Sequence, residues 1–338
     1  VGGSVTIGDT IKFRIGLKGA YAATDINPAR YAVVVVTYGP SAKKFNLYLR
    51  QGEDPDYVWS PSENYNGSTP REKAVRFSPY NLTASDLTDD MEYKQIAADR
   101  SNAAFTAYPT QAGAFFQWAE KINLRYAYHP VNPVGAPSNW IYGAFNASTY
   151  WDKVYWNTLG STNETCPQNY TLTTNTVVSF RRPNDGITNG VNSTGAIAGS
   201  EMRQSLWEVP QSGQTGSVIG SVWGFYADGF FDRRSHAHAA YGSGNTVPNI
   251  AVSIATKDVA YIGRLFYNRD NKRSLFFPAS GYRDYSIGSL GTSGTFGYYW
   301  SSSRHTNHCW LLHVGSSTVR QNNSSFSNGH ALRCVRNN

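Results

Sequence analysis

The last part of the chain, residues 304–328, concentrates side chains that form hydrogen bonds. Four of the seven histidines lie after residue 303, among many Asn, Ser and Arg residues and beside Trp310 and Phe326. Adaptable recognition surfaces use this mixture because it combines hydrogen bonding with rigid apolar contact. A plain polar hairpin at the end of the chain explains the composition equally well.

If this segment binds a ligand, its polar and aromatic side chains make the contacts. The predicted contact residues are Arg304, His305, Asn307, His308, Trp310, His313, Ser316, Arg320, Asn322, Asn323, Ser324, Phe326 and Asn328. Side chains alternate between the two faces of a strand. We therefore expect Trp310 and Leu312 on one face, and Leu311 and His313 on the opposite face.

No catalytic pattern accompanies these residues. The nucleophile elbow, the HExxH zinc motif, the P-loop and the dinucleotide-binding glycine pattern do not occur in a supporting strand–helix context. The acidic pairs Asp54 with Asp56 and Asp89 with Asp90 stand in loops, where solvated carboxylates are the norm. We predict that the chain is not an enzyme.

We also predict no cofactor and no metal at the binding segment, with one structural calcium ion left open. The oxygen-bearing side chains of Asn184 and Asp185 suit calcium. The same residues, between Pro183 and Gly186, also form an ordinary turn. The turn is the interpretation that we favour.

The three cysteines, Cys166, Cys309 and Cys334, have no metal-type spacing. Their odd number fits one long-range disulfide with one leftover thiol. Three reduced, buried thiols fit as well, and the residues alone do not separate the two arrangements.

The net charge of +7 comes from 30 basic and 23 acidic side chains. The basic residues are scattered, with Lys43–Lys44, Arg181–Arg182 and Arg233–Arg234 as the tightest clusters. Because phosphate binding needs a stripe of positive charge on one face, we predict no nucleic-acid partner. No apolar run reaches the roughly 18 residues of a spanning helix, so we predict no membrane span.

The N-terminal part of the sequence predicts β-structure. Residues 31–38 are a β-branched run, and residues 43–50 alternate apolar and polar side chains after a Gly-Pro-Ser turn, which predicts a hairpin. Residues 1–58 are too few for a complete sandwich, so they form the end of a larger β-domain or pack on the segments C-terminal to them. Residues 59–107, rich in Pro, Ser, Asn and Asp, are typical of an irregular connector.

Residues 108–338 predict a mixed domain. Helices are expected over residues 110–122 and residues 173–180, the second stopped before a proline. Short strands are expected over residues 274–277, 296–300, 309–314 and 331–335. Two helices followed by short antiparallel strands predict an α+β fold.

Four segments of this region resemble the Fibrobacter succinogenes major paralogous domain. In chain order they are residues 164–174, 275–283, 297–303 and 332–336, with the cores CPQNY, LFFPASGYR, GYYWSSS and RCVR. The first departs from the family pattern at Gln168, Asn169 and Thr173. The resemblance implies the C-type-lectin-like fold of formylglycine-generating enzymes. It also implies a disulfide between Cys166 and Cys334, with Cys309 left free.

The N-terminal part carries a second resemblance. Residues 48–57 (YLRQGEDPDY) are similar to the end of a fimbrillin-type β-domain that precedes this module in Bacteroidetes surface and pilus proteins. Together the two resemblances imply an extracellular, cell-surface or pilus-tip adhesin. Its expected partners are a host or bacterial surface protein or glycan, and other pilus subunits bound through the N-terminal β-segment.

A third resemblance concerns the polar segment itself. Diversity-generating retroelements rewrite adenines at the 3′ end of genes for proteins of this fold, and residues 304–328 have the resulting mixture of residue types. The resemblance implies a hypervariable binding hairpin. Two alternatives stay open, a structural pilus subunit without ligand and a degenerate enzyme. The enzyme is disfavoured because formylglycine-generating enzymes need two late cysteines, and the implied disulfide occupies Cys334.

Overall fold

In the computed structural model, short strands make up most of the regular secondary structure of the described residues. The structure describes residues 15–16, 19, 21, 29–65, 69–118, 125–133, 135–142, 164–174, 200–207, 221–226, 262–305, 308–317 and 319–337. Within these ranges the first ten strands are β1 (Arg30–Tyr38), β2 (Lys43–Gln51), β3 (Asn64–Tyr65), β4 (Thr69–Pro70), β5 (Arg76–Phe77), β6 (Leu82–Ala84), β7 (Tyr93–Gln95), β8 (Ala103–Phe105), β9 (Tyr126–Tyr128) and β10 (Tyr170–Leu172). A helix, Glu201–Leu206, comes next in the chain. The remaining strands are β11 (Ser221–Phe225), β12 (Ile262–Tyr267), β13 (Ser274–Pro278), β14 (Tyr282–Arg283), β15 (Leu290–Gly291), β16 (Phe296–His305), β17 (His308–Gly315), β18 (Val319–Ser324) and β19 (Cys334–Arg336).

The predicted α+β fold with two helices is wrong for the described residues, which hold one helix of six residues among many strands. Residues 110–118 are not helical, and within them Phe115 and Phe116 form bridges to Tyr128 and His330. Neighbouring side chains there pack into different hydrophobic clusters, Phe115 into one and Phe116 into the other. A strand permits this alternation, whereas a helix places apolar residues on a single stripe.

Most of the second predicted helix, residues 175–180, lies outside the described residues, and Thr173 and Thr174 continue the chain beyond β10. The helix of the described residues begins after Ser200, whose side chain accepts a hydrogen bond from the backbone N–H of Arg203. A serine in this position satisfies one of the free N–H groups of the first turn.

The predicted N-terminal hairpin is confirmed. β1 and β2 pair antiparallel from Arg30 opposite Gln51 to Tyr38 opposite Lys43. The side chains of Val35 and Phe45 are 53% and 55% exposed. The ring of Tyr48 lies 4.5 Å from that of Tyr267 on β12, which joins the hairpin to the rest of the molecule.

Residues 59–107, expected as a connector, contain the strands β3–β8. β5 pairs with the last strand, β19, and the backbone of Asp56 bridges to Phe77. Val58 and Phe77 are buried in the same hydrophobic cluster as residues of the C-terminal sheets. This part of the chain is therefore built into the core that the C-terminal residues form.

The sheet β16–β17–β18 separates the two hydrophobic clusters of the described residues. β17 is its central strand, paired antiparallel with β16 and β18. Leu312 and Val314 point into one cluster, and Cys309 and Leu311 into the other. The alternation predicted for this strand is confirmed. Because both faces are covered, β17 is buried from Cys309 onward.

The disulfide that the family resemblance implied is present. Cys166 and Cys334 are bonded with a Cα–Cα distance of 6.0 Å and a sequence separation of 168, and Cys309 is a buried free thiol. The bond joins the segment before β10 to β19, where Leu172 lies opposite Cys334. It therefore links two ends of the domain that also share a sheet.

Candidate functional site

Three residues form a row across the C-terminal sheet. Tyr298 on β16 lies opposite His313 on β17, which in turn lies opposite Arg320 on β18. Side chains of directly opposite residues in antiparallel strands share a face. The fold thus brings a phenol, an imidazole and a guanidinium together on one side of the sheet.

His313 occupies the middle of this row. Its ring stacks on that of Tyr298, with the centroids 4.6 Å apart and the planes 7° from parallel. Arg320 Nε donates a hydrogen bond of 3.2 Å to His313 Nδ1. Since Nδ1 accepts, the proton of a neutral ring sits on Nε2. That Nε2 is buried and has no hydrogen-bond partner among the described residues.

The protonation state of His313 is set by its surroundings. Burial, aided by the positive charge of Arg320, lowers the pKa of His313 to about 4. The imidazole is therefore neutral at neutral pH and presents an N–H donor. An unpaired buried donor is costly, so its position favours an acceptor supplied from outside the chain.

A second histidine packs behind this row. The ring of His330 stacks on Tyr298 at 5.3 Å and meets Trp300 edge-on at 4.3 Å. His330 Nε2 forms a 3.0 Å hydrogen bond with Ser324 Oγ, while Nδ1 is buried without a partner. Burial lowers the pKa of His330 well below its ordinary value, with a smaller contribution from His313.

Two further rings continue the aromatic surface. Tyr282 lies 5.2 Å from Tyr298, and Phe296 lies 5.0 Å from His313, both measured between ring centroids. Both residues are half-buried. We refer to this group as the Tyr298 cluster, and its members are Tyr282, Phe296, Tyr298, His313, Arg320 and His330.

Arg320 carries the positive charge of the cluster. Its side chain is half-buried, and it forms no ion pair with any carboxylate of the described residues. Asp284, beside Tyr282, is held within its own turn, where Oδ1 accepts hydrogen bonds from the backbone N–H groups of Ser286 and Ile287. The guanidinium is thus charged and not neutralised by these neighbours.

The structure divides the predicted contact residues among several places. His313, Arg320, Asn322 and Ser324 share the face of the Tyr298 cluster, because each is opposite a residue of that face. Trp310 and Asn323 lie on the other face, and Trp310 is buried.

The remaining predicted residues lie at the ends of the strands. Arg304 and His308 stand at one end of β17 and Ser316 at the other, about 25 Å apart at the usual rise per residue. Ser316 is exposed, while Arg304 and His308 are half-buried. A small ligand at one end cannot reach the other.

Phe326 and Asn328 are buried in supporting positions. The ring of Phe326 lies 5.4 Å from that of Trp118. Asn328 donates to Ser324 Oγ, and its Oδ1 accepts from the backbone N–H of Tyr285. Nothing is described of the His305 side chain or of Asn307, and residues 182–185, interpreted as an ordinary turn rather than a calcium site, also lie outside the described residues.

Sequence reasoning missed Tyr282, Tyr298 and His330. Both tyrosines stand in motifs interpreted as scaffold. His330 lies just beyond residues 304–328, the segment predicted to bind the ligand. The strand register, in which Tyr298 opposes His313, is the property that unites them. The alternation of side chains along residues 296–300 indicates which aromatic rings of this strand share a face. It does not indicate which strand lies opposite.

The described residues hold no group of three or more His, Cys, Asp or Glu side chains arranged to bind a metal ion. Within the same ranges, no helix has the length and apolar character to cross a lipid bilayer. The chain matches no family model, no curated protein and no solved structure.

Proposed function

We propose that this chain is a cell-surface or pilus-tip adhesin that binds a protein or glycan through the Tyr298 cluster. The observation that carries the proposal is the unpartnered Nε2–H of His313. It is buried beside a guanidinium without a carboxylate partner and among partly exposed aromatic rings. An acceptor group on a ligand would satisfy this donor.

The chemistry of the buried groups supports binding rather than catalysis. A histidine whose pKa is about 4 is a weak base at neutral pH. Burial raises the pKa of the Cys309 thiol well above its ordinary value, so it remains protonated and a poor nucleophile. Neither group suits the cysteine chemistry of formylglycine-generating enzymes.

The extracellular part of the proposal is supported by the disulfide between Cys166 and Cys334. Such bonds persist in oxidising compartments. The resemblance of residues 48–57 to fimbrillin-type domains supports attachment to a pilus.

Adhesion to a mucin-coated surface tests the proposal, because mucin displays both protein and glycan. The full chain is immobilised on beads, and their retention is compared with that of Arg320→Gln beads. The loss of one charge-assisted contact is expected to reduce retention about tenfold. The control is Arg269→Gln, which removes an exposed arginine in the turn between β12 and β13 and should leave retention unchanged. Equal retention of all three proteins would contradict the proposal, provided that they melt alike.

A structural pilus subunit is the second candidate function. The exposed apolar side chain of Phe45 on the N-terminal hairpin favours it, because a neighbouring subunit would cover it. A subunit of this kind predicts that Phe45→Ser reduces pilus assembly, while Arg320→Gln changes neither assembly nor retention on mucin.

A further inference from the structure

We propose that the group bound at the Tyr298 cluster is a carboxylate carried on a sugar ring. This inference rests on the proposed adhesin function, and it specifies the chemistry of the ligand.

The first argument is the sign and type of the polar groups. Arg320 has only donors, and the Nε2 of His313 is a donor because Nδ1 accepts from Arg320. A donor pair that includes a positive charge selects an anionic acceptor. Guanidinium groups match the planar geometry of a carboxylate through paired hydrogen bonds.

The second argument is the apolar surface next to these donors. Phe296 and Tyr282 flank the row of His313 and Tyr298, and both residues are half-buried. Aromatic rings present large apolar faces with a polar tip in tyrosine, which suits a ring that has C–H groups on one side and hydroxyls at its edge. A free carboxylate such as acetate would leave this surface unused.

The third argument is the polar rim. Asn322 and Ser324 are half-buried on the same face of β18 as Arg320. Ser324 Oγ is already bound to Asn328 and His330, so it is the side-chain amide of Asn322 that offers a donor to a hydroxyl group of a sugar. An acidic peptide would need mainly backbone partners, whereas the donors of this cluster are the side chains of His313 and Arg320.

Titration of the full chain with three small probes tests the inference. The probes are sodium glucuronate, methyl glucoside and sodium acetate at one ionic strength, followed by the histidine side-chain signals in long-range ¹H–¹⁵N spectra. Glucuronate is expected to bind about tenfold more tightly than either other probe and to shift the His313 Nε2 signal. Arg320→Gln should weaken glucuronate about tenfold, whereas Arg269→Gln should not.

Each contrary result has a definite meaning. Equal binding of methyl glucoside overturns the role of the carboxylate, and equal binding of acetate overturns the role of the sugar ring. Tighter binding of a tetra-glutamate peptide than of glucuronate also overturns the inference. If glucuronate does not bind while Arg320→Gln still loses retention on mucin, the sugar acid is wrong and the adhesin proposal stands. If Arg320→Gln keeps full retention on mucin, the adhesin proposal itself fails.

Discussion

In this molecule, the pKa values of several single residues are shifted by burial more than by ion pairs. His313 and His330 are buried as neutral rings, and burial lowers the pKa of both. Glu164 is affected in the opposite direction, because burial raises its pKa to about 7 although three backbone N–H groups bind its carboxylate. Because folding removes these residues from water, their pKa values differ between the folded and the unfolded chain. The free energy of unfolding therefore depends on pH.

The pH dependence of stability tests the state of His313. Between about pH 6.5, the ordinary pKa, and about pH 4, its pKa in the folded chain, the unfolded chain binds one more proton. Stability from this residue is complete above that window and is lost as the pH falls through it, by up to about 1.4 kcal/mol per pH unit. Urea unfolding at several pH values between about 4 and 6.5 should show that the free energy of unfolding falls less steeply with decreasing pH for His313→Gln than for the natural chain. The difference between the two curves isolates His313 from Glu164, whose contribution to stability falls as the pH rises. Parallel curves would contradict a neutral His313.

Glu164→Gln is expected to lower the free energy of unfolding by about 1–3 kcal/mol. Glu164 Oε1 accepts from the backbone N–H groups of Thr165 and Cys166 at 2.8 Å each, and Oε2 accepts from Leu172. An amide nitrogen in place of one oxygen would face an N–H group and leave it unpaired. Urea denaturation measures the loss, and Glu72→Gln at an exposed position is the control. A stability equal to that of the control would show that these hydrogen bonds contribute little.

At the scale of elements, the strands at the end of the chain depend on distant segments. β19 lies between β10 and β5, so its partners come from well before it in the sequence. Closing such long loops costs conformational entropy, which the disulfide reduces by constraining the unfolded chain.

Removal of the disulfide is therefore expected to be costly. For a sequence separation of 168, the chain-entropy model gives a loss of about 5 kcal/mol for the Cys166→Ser, Cys334→Ser double variant. Guanidinium unfolding of the oxidised natural chain and the double variant measures it. Cys309→Ser separates the effect of the crosslink from that of replacing a buried thiol. A double variant as stable as the natural chain would show that sheet pairing alone holds β10 and β19 together.

At the scale of the whole molecule, buried arginines account for part of the positive charge. Arg71, Arg283 and Arg333 are almost fully buried, and they bind mainly backbone carbonyl groups. Arg283 donates to the carbonyl oxygens of His129, Asn132, Pro133, Gly135 and Gly288. A net charge of +7 thus includes charges that organise loops in the interior and are not displayed on a surface.

Arg283→Lys tests this structural role. Lysine keeps the charge but has three donors on one nitrogen, so several of these carbonyls would lose their partner. We expect a loss of about 3 kcal/mol or more, because hydrogen bonds to charged groups are worth about 1.5–3 kcal/mol each. Thermal unfolding should show a clearly lower Tm than for the natural chain. The matched change Arg269→Lys on the surface should leave the Tm unaltered. Equal Tm values for both variants would show that a single ammonium group satisfies the loop.

The sequence by itself determined the strands whose side chains alternate, among them the N-terminal hairpin and β17. It also carried the motifs from which the pair Cys166 and Cys334 was expected. The conformation of residues 110–118 and the extent of the binding face were decided by tertiary structure. Residues around Phe115 and Phe116 resemble a helix in composition, but two separate cores compete for them and only an extended chain serves both. The Tyr298 cluster depends on which residues of three strands lie opposite one another. Register is a property of strand pairing, and no single strand encodes it.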